Sequence, residues 1–143
     1  MLSYVIDASV VTKWYIEEKH SHFANRIREA YILGKISLIA PSLLNYEILN
    51  ALKYSNLFNA SDLNVVGESL EKYGIVLYSI EGKVRERMIE LAVNHDLTIY
   101  DAAYLALALE NRIQLLTADT KIKRKIPKPI KETILHIKQY KEN

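Results

Sequence analysis

Short apolar runs alternate along this chain with longer segments in which apolar residues recur every three or four positions. The first pattern is typical of strands buried on both faces, and the second of helices that pack one face onto a sheet. Strands are predicted over residues 2–6, 36–40, 75–79, 113–117 and 133–137. The alternation predicts an α/β fold with a central parallel sheet of about five strands, covered by helices on both faces.

Helices are predicted over residues 10–18, 20–33, 41–55, 59–73, 83–94 and 100–111. Gly34 and Gly74 follow two of these segments, where glycine commonly ends a helix. No low-complexity linker or internal repeat interrupts the pattern. We therefore expect one domain spanning residues 1–143.

The composition adds constraints on location and chemistry. No apolar run approaches the roughly 20 residues that cross a bilayer, and the first residues resemble a strand more than a signal peptide. The absence of cysteine excludes disulfides and thiolate metal sites. We expect a protein without a membrane segment, with the cytoplasm as its default location.

Four of the 17 acidic residues have apolar surroundings. Asp7 and Asp119 directly follow predicted strands, Glu47 lies within a helix among leucines, and Asp101 opens an alanine- and leucine-rich helix. In parallel sheets, ligands bind beyond the carboxyl ends of strands where the strand order reverses. If the strands before Asp7 and Asp119 are neighbours, all four carboxylates are expected to converge there.

Converged carboxylates repel one another, and a hard divalent cation removes that cost. Oxygen ligands without cysteine or a well-placed histidine favour Mg²⁺, or alternatively Mn²⁺, over zinc. Such a cation activates water and clamps phosphate oxygens, so phosphodiester hydrolysis fits best. Taken singly, each residue also has a structural interpretation: the three aspartates as helix N-caps, and Glu47 as a partly buried partner of a basic residue.

Four segments carry these acids: VIDASVVTKW with Asp7, NYEILNAL with Glu47, LTIYDAAYLALA with Asp101, and LLTAD with Asp119. Their order and spacing resemble the PIN-domain nucleases over almost the whole chain, and within them the toxin ribonucleases of VapBC toxin–antitoxin pairs. The DAAYLALA and LLTAD segments are the more specific ones.

The resemblance implies a three-layer α/β/α sandwich, Mg²⁺-dependent endoribonuclease activity, a homodimer, and inhibition by a small cognate antitoxin. It implies that Asp7, Asp101 and Asp119 bind metal and that Glu47 acts through water or a second metal. Two further residues, Ser9 and Thr117, match small hydroxyl positions beside the site and are candidate substrate contacts.

Six basic residues and no acid lie between Lys121 and Lys131, although the net charge of the chain is only +2. Because this run follows Asp119, we expect it to hold the RNA backbone, with Lys123 and Arg124 as substrate-binding candidates. A solvated surface is the alternative interpretation. The four histidines show no ligand spacing and are interpreted as structural, whereas Tyr100 and Tyr104 are candidates for stacking on bases.

Two alternative functions remain open. One is a PIN-like module that binds RNA or protein without cutting, and the other is an RNA-processing PIN nuclease. Self-association is expected through apolar residues on two helices that one sheet does not fully cover, namely Leu63, Val66, Leu70, Val84, Met88 and Leu91.

Overall fold

A five-stranded, wholly parallel sheet forms the centre of the computed structural model, which describes residues 1–142. The strands are β1 (Leu2–Ile6), β2 (Ile36–Pro41), β3 (Val76–Tyr78), β4 (Gln114–Thr117) and β5 (Ile134–His136). Their spatial order is β3-β2-β1-β4-β5. The order reverses at β1, where Val5 pairs with Ile39 on one side and Leu115 on the other.

Seven α-helices connect these strands in the described part of the chain. They are α1 (Ala8–Val11), α2 (Ser21–Ile32), α3 (Leu44–Tyr54), α4 (Ala60–Tyr73), α5 (Gly82–His95), α6 (Ile99–Asn111) and α7 (Lys128–Lys131). Parallel strands are joined by right-handed crossovers. The connections through α1–α4 and through α5–α6 run in opposite directions across the sheet, so they cover opposite faces. The three-layer α/β/α prediction is confirmed.

The core lies on both sides of β1 and β4. Val5, Ile6 and Leu116 are fully buried, and α6 packs over β1, β2 and β4. Every residue of α6 from Ala102 to Ala108 is buried, which explains why this helix is apolar on all sides. A rigid, buried α6 is therefore available to position residues at its exposed start.

Two predicted helices differ from the structure. The 10–18 segment contains the short α1 followed by a 3₁₀ helix (Thr12–Trp14) instead of one continuous helix. The helix predicted from residue 41 begins at Leu44, because β2 continues to Pro41 and the Ser42 N–H donates to the Tyr78 carbonyl at 2.9 Å. Proline is acceptable at the end of β2 because it needs no donor there.

The basic run, to which no helix or strand was assigned from the sequence, forms a 3₁₀ helix (Lys121–Lys125) and then α7. The apolar residues proposed to remain uncovered on α4 and α5 are mostly packed within the chain: Val66, Leu70 and Leu91 are buried. Leu63, Val84 and Met88 are partly buried and pack against the core, so these six residues do not form an uncovered apolar face. Within residues 1–142, no helix has the length and apolar character needed to cross a membrane.

Candidate active site

Asp7 and Asp119 lie at the carboxyl ends of β1 and β4, which are hydrogen-bonded neighbours as predicted. The Asp7 N–H donates to the Leu116 carbonyl at 3.2 Å and extends this pairing past the end of β1. The site therefore begins where the strand order reverses, the usual location for ligands in an open parallel sheet.

The Asp7 carboxylate is held by Ser9. Its Oδ1 accepts from the Ser9 N–H at 2.8 Å and from the Ser9 hydroxyl, which in turn accepts from the Ala118 N–H at 2.9 Å. Ser9 thus links the ends of β1 and β4. Asp7 is also the N-cap of α1, as the structural interpretation proposed. A capping role alone does not explain why its carboxylate is partly buried.

Asp119 is fixed by the strand end before it. Its N–H donates to the Thr117 hydroxyl at 3.0 Å, and its Oδ1 accepts from the Lys121 N–H at 3.0 Å. Thr117 is only 1% exposed and bonds within the chain. Its hydroxyl positions the end of β4, and direct contact with RNA would require an exposed side chain that Thr117 lacks.

Glu47 projects from the first turn of α3, and its Oε1 accepts a hydrogen bond from the Tyr104 hydroxyl at 2.6 Å. No basic residue forms an ion pair with Glu47 in the described part of the chain. The buried-pair interpretation is therefore wrong for this glutamate. Tyr104 is 4% exposed, so it orients Glu47 and cannot stack on a base.

Asp101 occupies the first turn of α6, but it is not the N-cap. Thr98 is the cap, and its hydroxyl accepts from the Asp101 N–H at 3.0 Å. The structural role proposed as the alternative for Asp101 thus belongs to Thr98. The Asp101 carboxylate is left available at the exposed start of a buried helix.

The four carboxylates meet at one cavity of about 210 Å³. Its walls include Asp7, Glu47, Asp101 and Asp119, together with Ser9, Tyr104 and Ile122. None of the four acids forms a salt bridge within residues 1–142. The predicted convergence is present, and no lysine or arginine of the described residues lies within salt-bridge distance of these four acids.

The surroundings of Asp7, Glu47 and Asp101 change the protonation of these carboxylates. Burial raises the pKa of Asp7 to about 6, with the hydrogen bonds from Ser9 opposing the shift and the Asp101 charge adding to it. Burial also raises the pKa values of Glu47 and Asp101; the Asp101 charge adds to the first shift and the Asp119 charge to the second. The carboxylates therefore act on one another as well as losing water.

The donor set fits a hard divalent cation held partly through water. Among residues 1–142, no three acidic or histidine side chains come close enough together to hold a metal by themselves. Mg²⁺ normally takes only one or two protein carboxylates and keeps several waters. An oxygen-lined cavity with uncompensated charge suits that mode of binding, and it does not suit the closed four-ligand geometry of structural zinc.

The basic run divides between two environments. Lys121 and Arg124 line a second cavity that also includes Asp119, whereas Lys125 donates to the Asp96 carbonyl at 2.9 Å. Lys123 is not part of the wall of this cavity. His20 and His136, interpreted from the sequence as structural, contribute to it; no spacing signal reveals them, because they come from opposite ends of the chain.

Comparison with known proteins identifies the family. A model of the PIN domain matches residues 4–126. Ribonuclease VapC3 of Pyrobaculum aerophilum is 32% identical over 128 residues, covering 86% of this chain and 94% of the relative.

Two solved structures share the fold at low sequence identity. A toxin–antitoxin complex from Klebsiella pneumoniae aligns with a TM-score of 0.68 at 18% identity, covering 94% of this chain and 97% of the other. VapC20 of Mycobacterium tuberculosis, a toxin that cleaves the sarcin–ricin loop, aligns with a TM-score of 0.64 at 15% identity, covering 85% and 93%. With its parallel sheet, its carboxylate-lined cavity and a domain match over most of its length, the chain belongs to the PIN-domain family.

Proposed function

We propose that this protein is a metal-dependent endoribonuclease and the toxin of a toxin–antitoxin pair. The observation that carries the proposal is the cavity into which four carboxylates without cationic partners project. Similarity to a VapC ribonuclease over 86% of the chain supports the substrate class and the biological role.

In the proposed mechanism, Asp7, Asp101 and Asp119 are the residues that would hold Mg²⁺, or Mn²⁺ in its place. The bound cation would activate a water and stabilise charge on the phosphate being cleaved. Ser9 keeps Asp7 pointing into the cavity, and Thr117 keeps Asp119 at its edge. These contacts fix the geometry before substrate binds, which lowers the cost of reaching the transition state.

Glu47 has a separate part. Tyr104 occupies its Oε1, so Oε2 remains free to accept a hydrogen bond from water at the same cavity. A carboxylate with a raised pKa is a better proton acceptor than an ordinary one. We assign to Glu47 the orientation of the attacking water and acceptance of its proton.

The proposed partners are RNA, a small antitoxin and a second copy of the chain. A solved structural neighbour is a toxin–antitoxin complex, which supports the antitoxin. RNA as substrate also favours the cytoplasm as the place of action. An RNA-processing role uses the same chemistry and differs only in the partner.

The decisive experiment replaces Asp101 with Asn and measures cleavage of labelled RNA in Mg²⁺ and in EDTA. We expect Asp101→Asn to lower the rate by about 100-fold or more, because even residues that only orient metal ligands contribute roughly 10- to 100-fold. The fold should be retained, because Thr98 caps α6 in both proteins.

Asp96→Asn is the matched control. Asp96 is exposed and has a left-handed backbone (φ 53°) that asparagine tolerates. We expect its cleavage rate to equal that of the wild type. Full activity of Asp101→Asn would contradict the assignment of Asp101, and equal cleavage in Mg²⁺ and EDTA would contradict the metal dependence. Wild type that binds RNA without cleaving it would favour a module that binds without cutting.

A further inference from the structure

A second cavity of about 370 Å³ adjoins the carboxylate cavity. Six of its lining residues are basic or imidazole side chains, and we call it the basic pocket: Lys13, Lys19, His20, Lys121, Arg124 and His136. They come from the 3₁₀ helix after α1, the loop before α2, the segment after β4, and the end of β5. Four separate parts of the chain thus place positively charged or hydrogen-bonding side chains around the same cavity.

The charge of the basic pocket is largely unbalanced. Lys13 pairs with Glu18 at 3.0 Å, but Lys19, Lys121 and Arg124 form no salt bridge within the described residues. Asp119 is the single acid in the pocket wall. An anion bound here would meet several free cationic donors, including the guanidinium of Arg124, whose geometry suits phosphate.

The two histidines are arranged against each other. Their rings meet edge to face with centroids 5.3 Å apart. Nδ1 of His136 accepts from the Lys138 N–H at 3.0 Å, so the proton of a neutral ring must be on Nε2, which is then a donor. His20 has a left-handed backbone (φ 69°), a conformation in which histidine is enriched, as asparagine and aspartate are.

Asp119 connects the basic pocket to the proposed catalytic cavity, because it lines both. A polyanion with one phosphate at the carboxylates must leave that cavity in some direction. Past Asp119 the wall changes from acidic to basic, and this change favours the direction of the pocket.

We propose that the basic pocket binds a backbone phosphate of the RNA that flanks the phosphate being cleaved. This inference rests on the proposed ribonuclease function and adds the path of the substrate. It assigns Lys19, Lys121 and Arg124 to phosphate binding, with His20 and His136 beside them in the pocket wall. An acidic protein segment would also meet positive charge here, but continuity with the site of phosphodiester chemistry favours RNA.

The test measures binding of a fluorescently labelled single-stranded RNA by anisotropy in EDTA, where cleavage does not occur. Lys19→Gln/Arg124→Gln removes two charges from the pocket, and Lys72→Gln/Lys83→Gln removes two from α4 and α5. Lys128→Gln/Lys131→Gln removes two from the same basic run outside the pocket wall.

For the pocket variant, we expect the affinity for RNA to fall about tenfold or more at 0.1 M salt. The slope of log affinity against log salt concentration should become less steep by about 1.4, the value for two lost phosphate contacts with a single strand. The α4–α5 variant should keep the wild-type affinity, and the Lys128/Lys131 variant should lose less than the pocket variant. Equal losses in all three would show general attraction and overturn the proposal.

A chemical probe locates the contact. RNAs carrying one neutral methylphosphonate at successive positions should lose affinity for wild type at one position beside the cleavage site. At that position the pocket variant should lose nothing further, because the two changes remove one interaction. If the methylphosphonate lowers the affinity of the pocket variant as much as that of the wild type, the two changes are independent, and the assignment of this phosphate to the pocket would be overturned.

The outcomes separate this proposal from the ribonuclease assignment. Wild type that binds and cleaves RNA, with a pocket variant of unchanged affinity, would overturn the pocket alone. Weaker binding of a hexaglutamate peptide by that variant, with RNA affinity unchanged, would assign the pocket to an acidic protein partner instead. Wild type that neither binds nor cleaves RNA would overturn both proposals.

Discussion

The ionised Asp7 carboxylate is destabilised by its position in the site. Burial raises its pKa to about 6, so the folded protein takes up a proton more readily than the unfolded chain. The free energy of unfolding therefore falls as pH rises from about 3.8 to about 6, and the full penalty applies above that range. A shift of this size corresponds to at most about 3 kcal/mol.

Asp7→Asn should consequently stabilise the metal-free protein. Its side-chain oxygen can still accept from the Ser9 N–H, while the buried charge is gone. In EDTA at pH 7.5 we expect a higher Tm than wild type, and the difference should disappear as pH approaches 4. Asp96→Asn, which alters an exposed carboxylate, should show no such trend. A Tm for Asp7→Asn equal to or below wild type at pH 7.5 would rule out this account.

Tyr104 supplies a second prediction at the residue scale. Its hydrogen bond opposes the upward shift of the Glu47 pKa, so Tyr104→Phe should raise that pKa further. If Glu47 must be ionised to accept a proton, the acidic limb of the pH–rate profile should move to higher pH. Tyr100→Phe, a change at an exposed neighbouring position, should leave the profile in place. A Tyr104→Phe profile that changes only in height would indicate a packing role.

At the scale of elements, α4 begins with a reciprocal cap. The Asn59 side chain accepts from the Asp62 N–H at 2.8 Å, and the Asp62 carboxylate accepts from the Asn59 N–H at 3.0 Å. Asn59→Ala should lower the free energy of unfolding by about 1 kcal/mol in urea denaturation. Ser61→Ala, one position beyond the first helical residue, should have little effect. Cleavage per folded molecule should be unchanged in both, since α4 contributes no residue to the catalytic cavity.

Elements with clear end signals were predicted well. Asn59 and Gly74 delimit α4, and Gly74 adopts the left-handed conformation (φ 66°) expected of a terminating glycine. Residues 10–18 have no such signal, because the turn after Trp14 depends on tertiary packing. The Trp14 indole N–H donates to the Ala24 carbonyl at 2.9 Å, a contact between segments that the local pattern does not contain.

Part of the site was also predictable from local sequence signals. Asp7 and Asp119 follow apolar strands, so their placement at a sheet edge could be read from the pattern. The Tyr104–Glu47 hydrogen bond and the basic pocket could not be predicted from the sequence, because each joins elements that are far apart in the chain. The sequence of residues 121–131 gives the charge of this segment, but it does not show which of its basic residues line the basic pocket.

For the whole molecule, self-association stays a prediction on different residues from those first expected. Val65 on α4 and Val93 on α5 are 63% and 76% exposed, and contact with a second copy through either helix would bury apolar area. We expect a dimer in sedimentation velocity at micromolar concentration. Val65→Lys and Val93→Lys, tested separately, should weaken it if their helix forms the contact. Monomer alone throughout the concentration range would disprove self-association.

The pairing of β1 with β4 has a consequence for synthesis on the ribosome. More than 100 residues separate β1 from β4, the neighbour that brings Asp119 beside Asp7, so β4 emerges long after β1. Until then one edge of β1 has no partner, and the cavity lacks a wall. We therefore expect a nascent chain of this design to leave RNA uncut, including its own message and the ribosome that makes it, until β4 has emerged and paired with β1.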